Sequence, residues 1–132
     1  PFLFFAWFSP HKSLRVFFHR LRGVKIGKNV EIGYLCFIGH VHPRMIHIED
    51  NAIITSGVTI LEHDNSYYYT NRGNVKLGEV FIGDRAFIGT GSVIMPGVRI
   101  GANAIVGSLS LVNKDVPANE IVVGNPARLL KK

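Results

Sequence analysis

Large aliphatic residues return along this chain at every sixth position. Glycine follows them at Ile26-Gly27, Ile32-Gly33, Ile38-Gly39, Ile82-Gly83, Ile88-Gly89, Ile100-Gly101 and Val106-Gly107, while Ile48, Ile54, Ile60, Ile94 and Val112 hold the same place without it. Four positions further on sits a second, often small, residue, as at Cys36, Ala52, Ala86, Ser92, Ala104 and Ser110. A helix repeats its apolar positions at three and four, and a strand at two. A step of six therefore predicts a short strand plus a turn, with three such units closing one coil of a solenoid. The large aliphatic points inward from a flat face, the smaller residue fills a corner, and the glycine eases the turn and supplies positive φ. Coils then pair as parallel strands about 4.8 Å apart, each covering its neighbour's apolar edge. The expected class is all-β, a parallel β-helix of hexapeptide repeats over residues 23–118, preceded by a segment at 1–22 and closed by a tail at 119–132.

The register breaks twice. From Ile38 to Ile48 the step is ten, so residues 41–47 carry a small insertion around Pro43. From Ile60 to Ile82 it is twenty-two, leaving residues 65–79 as a protruding loop rich in Tyr, Asn and Gly. Long loops on rigid scaffolds often carry function, and such a loop can also pack on a neighbouring subunit. At the N-terminus, Lys12 to Arg22 has helical spacing: Leu14, Phe17, Phe18 and Leu21 form an apolar stripe, with Lys12, Arg15, His19, Arg20 and Arg22 outside it. Phe2, Phe4, Phe5, Trp7 and Phe8 precede it. Two readings stand: a cap on the open end of the solenoid, or a basic amphipathic helix resting on an anionic membrane.

Composition narrows the partners. Charged residues make up 18% of the chain and apolar ones 47%, a balance that supports a packed core and not disorder. The formal charge of +6 favours polyanionic partners. No recognition motif points to nucleic acid, and the basic residues are spread out. The single cysteine, Cys36, cannot form an intrachain disulfide, and its small inward position favours packing over nucleophilic work. No apolar run approaches the roughly 20 residues of a membrane helix. The chain opens at Pro1 without Met, which leaves a preceding signal or anchor open.

Three stretches carry a resemblance: Ile60-Leu61-Glu62-His63-Asp64 before the long loop, Val80-Phe81-Ile82-Gly83-Asp84 after it, and the ending Lys114-Asp115-Val116-Pro117 with Gly124-Asn125-Pro126-Ala127-Arg128. With the repeat, they make residues 23–130 resemble the hexapeptide-repeat acyltransferases, in the branch of maltose, galactoside and polysaccharide O-acetyltransferases. The resemblance implies a left-handed β-helix, a homotrimer with active sites between subunits, and acetyl-CoA or a related acyl-CoA as donor. It places the catalytic histidine at His63, with Asp64 or Glu62 orienting it. Donor contacts carry over to Phe87, Thr90, Ser108, Asn113, Lys114 and Arg128. Thr90 is a candidate for the thioester, and Lys114 and Arg128 suit the phosphates. Leu109 stands where a glycine is common and narrows the channel.

Acyl transfer from a thioester to a hydroxyl needs a base near neutrality, which suits histidine. The expected reaction moves an acetyl group to a hydroxyl of a sugar or polysaccharide precursor, in the cytoplasm or at the inner membrane surface through residues 1–22. His40, His42 and His47 cluster at the first break and suggest a metal site. They lack the spacing of the zinc carbonic anhydrase that shares the solenoid, so no metal is expected. The acceptor-binding Asn usual in these enzymes is not evident. The competing readings are a non-catalytic trimeric scaffold and that zinc hydratase.

Overall fold

The computed structural model describes residues 2–130. Short strands stack into three parallel sheets that form the faces of a left-handed β-helix. The first face holds Lys25–Ile26, Ile46–Ile48, Val80–Ile82 and Arg99–Ile100. The second holds Glu31–Ile32, Ile53–Ile54, Phe87–Ile88, Ile105–Val106 and Ile121–Val123, with Arg128–Leu129 added antiparallel at its end. The third holds Phe37–Ile38, Thr59–Ile60, Val93–Ile94 and Leu111–Val112. In register the inward residues align coil on coil, as in Ile32–Ile54–Ile88–Val106–Val122. Ile32, Ile38, Ile54, Ile60, Ile82 and Ile88 are all at most 1% exposed, and Cys36, Ala52, Ala86 and Ser92 fill the corners beside them. Each fully buried Ile contributes roughly 1.5–3 kcal/mol, so the stacked column is the main source of stability.

The corners differ from expectation in one respect. The glycine after the aliphatic does not supply the positive φ. Except at Gly39, that conformation falls on the third residue after the aliphatic, for example Asn29, Asn51, Gly57, Gly91, Gly97, Asn103 and Asn119. Asn and Gly tolerate the left-handed region best. The glycines beside the aliphatics are instead needed for close approach: a Cβ at Gly89 would lie 2.5 Å from the Ser108 nitrogen, and one at Gly101 2.4 Å from that of Ala118.

Two helices close the first coil, α1 (Phe2–Phe8) and α2 (Lys12–Arg22). A stacked coil leaves its outermost carbonyls without a partner strand, and buried or half-buried carbonyls need donors. Arginines supply them at the end of each face. Arg20 reaches the carbonyls of Ile26 and Gly27 (Nη2 to Gly27 O, 2.5 Å), Arg15 Nε donates to Ile32 O (2.8 Å), and Arg22 donates to Ile38 O (2.9 Å) and Gly39 O (3.0 Å). Trp7 Nε1 adds a bond to Cys36 O at 2.9 Å. In this cap Arg15, Val16 and His19 are buried, while Leu14, Phe17 and Leu21 of the apolar stripe face out. Of the tail expected at 119–132, Ile121–Val123 extends the second face and Arg128–Leu129 pairs back on it, while Lys131 and Lys132 lie outside the described residues.

His19 is wholly buried beneath this cap. Its Nδ1 accepts from Arg22 Nη1 at 3.2 Å, and Nε2 finds no partner. Burial, with the Arg22 and Arg15 charges adding to it, lowers its pKa from 6.5 to about 3. Between those values the unfolded chain takes up a proton that the folded one refuses, so stability is full above about 6.5 and is lost as pH falls toward 3. The melting temperature is expected to drop from about pH 7 to pH 5, before most carboxylates titrate, and to drop less in His19→Gln. Equal drops in the two proteins would contradict the assignment.

Candidate active site

Both insertions leave the solenoid at the same corner, between the third face and the first. The smaller one, after Gly39, ends in a 3-10 turn at Pro43–Met45 and rejoins the first face at Ile46. The larger one begins as a hairpin, His63–Asp64 paired antiparallel with Lys76–Leu77, and carries a single helical turn, α3 (Ser66–Tyr69). The loop is therefore ordered from its base, and His63 and Asp64 belong to that base.

Glu62 sits where the hairpin leaves the corner, and it is fully buried. A buried carboxylate needs hydrogen bonds to stay charged. Glu62 Oε1 accepts from the backbone N–H groups of Val41 and His42, each at 3.2 Å, both in the smaller insertion. It also accepts from His63 Nδ1 at 2.5 Å. Burial pushes the Glu62 carboxyl up, but the bonds from His63, His42 and Val41 outweigh it and hold the group below its ordinary value. Its second oxygen, Oε2, is buried without a partner.

The consequence falls on the imidazole. With Nδ1–H donated to a carboxylate, the neutral ring carries its lone pair on Nε2. The His63 side chain is one-fifth exposed, so the ring is held in place yet reachable. Asp64 does not share this work. Its Oδ1 accepts from the Ser66 backbone N–H at 2.9 Å, opening α3, and that bond is the leading cause of its lowered pKa. Of the two carboxylates named from the sequence, the one on the ring is Glu62. The Val41 and His42 donors were not foreseen. Their only trace in the sequence is the ten-residue step.

The other candidates fall into groups on different corners. Thr90 and Ser108 are exposed on consecutive coils between the second and third faces, and Thr90 Oγ1 donates to Thr55 Oγ1 at 3.3 Å. The Leu109 side chain lies over Gly91 there, beside Thr90, with Cδ2 2.7 Å from where a Gly91 Cβ would stand. Phe87 projects from the second face, between Ile53 and Ile105. Asn113 and Lys114 share the His63 corner but lie beyond an intervening coil, since the Leu61 N–H meets Ile94 O and the Met95 N–H meets Val112 O. Lys114 and Arg128 line one groove of about 430 Å³ with Asp115, Pro117 and Ala127. Within one chain the donor residues and His63 do not converge.

Among the described residues of one chain, no three His, Cys, Asp or Glu side chains are grouped to hold a metal ion. His47 stacks on Phe81, with ring centroids 4.4 Å apart. Cys36 is buried, with Sγ donating to Thr55 O at 3.1 Å, and burial raises its thiol pKa, which suits packing and not nucleophilic attack.

The comparisons agree with this architecture. Residues 79–114 match the family described as "Bacterial transferase hexapeptide (six repeats)", and residues 23–62 match "Hexapeptide repeat of succinyl-transferase". The chain is 34% identical over 127 residues to YvoF of Bacillus subtilis, a protein assigned as an acetyltransferase, covering 95% of this chain and 70% of that one. It is 32% identical over 132 residues to galactoside O-acetyltransferase of Escherichia coli, covering 96% of this chain and 61% of the relative. Against several Staphylococcus aureus relatives it spans only 55% of their length. Among solved structures, the hexapeptide-repeat acetyltransferase VCA0836 of Vibrio cholerae, complexed with acetyl-CoA, superposes with a TM-score of 0.77 at 25% identity, over 98% of this chain and 82% of that one. The chain belongs to the hexapeptide-repeat acyltransferase family, the class of acyl-CoA-dependent enzymes that includes the galactoside and polysaccharide O-acetyltransferases.

The Glu62 contact predicts a tautomer. In nitrogen-15 NMR at a pH where His63 is neutral, Nδ1 should carry the proton and Nε2 should be bare. An Nε2–H form would contradict the geometry.

Proposed function

We propose that the protein transfers an acetyl group from acetyl-CoA to a hydroxyl of a sugar or polysaccharide precursor, with His63 as general base and Glu62 positioning it. The observation that carries this reading is the Glu62–His63 bond, which leaves Nε2 as a basic atom at the protein surface. The acceptor hydroxyl gives its proton to Nε2 as its oxygen attacks the thioester carbonyl. The tetrahedral intermediate then collapses, the C–S bond breaks, and the departing sulfur takes the proton from the imidazolium. The buried Glu62 charge stabilises that imidazolium between the two proton transfers. The exposed rings of Tyr68 and Tyr69, in the helical turn that the hairpin carries, offer aromatic surface on the same loop for a sugar acceptor.

The donor residues support a site shared between subunits of a homotrimer. On the second face the outward positions after Glu31, namely Ile53, Phe87, Ile105 and Ile121, are apolar, and on the third Phe37, Val93 and Leu111 are apolar beside Thr59. On the first face the equivalent positions are Lys25, His47, Phe81 and Arg99. Apolar outward ladders favour burial against neighbouring solenoids, and the polar ladder favours solvent. Pairing the third face of one subunit with the second face of the next would bring Phe87 toward a neighbour's His63. Lys114 and Arg128, in their shared groove, suit the phosphates of the donor. An acyl-CoA donor fits a cytoplasmic setting.

His63→Ala is expected to lower kcat for acetyl transfer to a sugar panel about 10²–10⁴-fold, with the oligomeric state unchanged and the fold retained by circular dichroism. Undiminished turnover in the variant would overturn the assignment of the base. Absence of acetyl-CoA turnover in the wild-type protein across the panel would favour a non-catalytic scaffold.

A further inference from the structure

The N-terminal helices are inverted relative to an ordinary surface pair. Their arginines are committed to the carbonyls of the first coil, and Arg15 and His19 are buried in doing so. The apolar residues are left outside: Phe4, Phe5, Phe8, Leu14, Phe17 and Leu21 are 45–62% exposed. They are not scattered. Ring contacts run Phe8–Phe4 (5.0 Å), Phe4–Phe5 (5.7 Å), Phe5–Phe18 (5.1 Å) and Phe18–Phe17 (5.3 Å), a continuous aromatic patch across both helices. A patch of this kind on a folded domain marks an interaction surface. Rotating α2 to bury it would strip the first coil of its donors, so that rotation does not relieve the patch.

Charge selects the occupant. Of the six Lys and Arg in residues 1–30, Arg15, Arg20 and Arg22 hold first-coil carbonyls and Lys12 pairs with Glu31, which leaves Lys25 and Lys28. Exposed Lys25 and Lys28 lie on the first coil, and Arg44 shares a groove with Phe2 and Leu3 at the patch margin. A second copy of the same face would set these cations against their like. Aromatic rings rimmed by cations fit a bilayer of anionic lipid, with the rings at the headgroup–acyl boundary and the cations near lipid phosphates.

We propose that the α1–α2 face docks peripherally on an anionic lipid bilayer, placing the first coil nearest the membrane. No helix among the described residues is long and apolar enough to cross it. The docking is independent of the acyl-transfer reading, because none of its residues belongs to the candidate active site.

The test is flotation of the full chain with vesicles of phosphatidylglycerol and phosphatidylcholine, and with phosphatidylcholine alone. The wild type is compared with Phe4→Ser/Phe17→Ser, whose side chains are already half in water. Unchanged melting temperature confirms that the variant folds. The expected result is flotation with the anionic vesicles, reduced by roughly tenfold in the variant and by high salt, which screens the cations. Three results would overturn the proposal: no flotation with anionic vesicles, flotation that the double substitution leaves unchanged, or sedimentation showing that it splits a larger assembly, which would make the face a contact between copies.

Discussion

Each coil must bring its aliphatic side chains back over those of the coil beneath, and the rest of the molecule follows from that demand. Extra residues cannot be absorbed inside the column, where Ile32, Ile54 and Ile88 stack in register. They can only be extruded at a corner. Both insertions leave at the corner between the third and first faces, one coil apart, because the steps Ile38 to Ile48 and Ile60 to Ile82 both turn that corner. Stacking therefore sets the backbone of Val41 and His42 against the start of the second insertion, at Glu62. The interruptions of the repeat meet because the strands between them, Ile48 to Ile54 to Ile60, keep the step of six.

What forms at that meeting point is an electrostatic arrangement of high cost and high use. A carboxylate with no exposure would ordinarily protonate or drive its own expulsion. Two backbone N–H groups and the His63 ring keep Glu62 ionised, and the same oxygen that accepts all three selects the ring tautomer. A similar economy governs the open end. There arginines satisfy the carbonyls of the first coil on all three faces, and the consequence is an aromatic surface turned away from the protein.

The solenoid was legible because a strict step of six has few structural solutions, and the twelve aliphatic positions occupy inward places as that step requires. Both breaks were legible for the same reason. The helix at Lys12–Arg22 was visible, but its orientation was not: an apolar stripe is ordinarily turned inward, and here the unpaired carbonyls of the first coil outweighed it. The glycine positions were visible and their cause was not, since the clash they avoid is with the coil above. At the candidate site, which of Glu62 and Asp64 meets the His63 ring depends on which side chain is turned into the corner, and adjacent residues do not reveal that. Backbone donors such as those of Val41 and His42 carry no side-chain signature. The candidate donor residues stand on separate corners of one chain, and no local pattern in the sequence relates them to His63.

The central claim is that Glu62 acts through His63. It is tested most directly by the steady-state kinetics of Glu62→Gln with acetyl-CoA and an accepted sugar. The substitution keeps the shape and removes the charge that faces the imidazolium. The account predicts a kcat lowered about ten- to a hundredfold, in the range of a general-base contribution, with KM for both substrates and the melting temperature unchanged. A variant that retains wild-type kcat, or loses turnover only through raised KM, would contradict it.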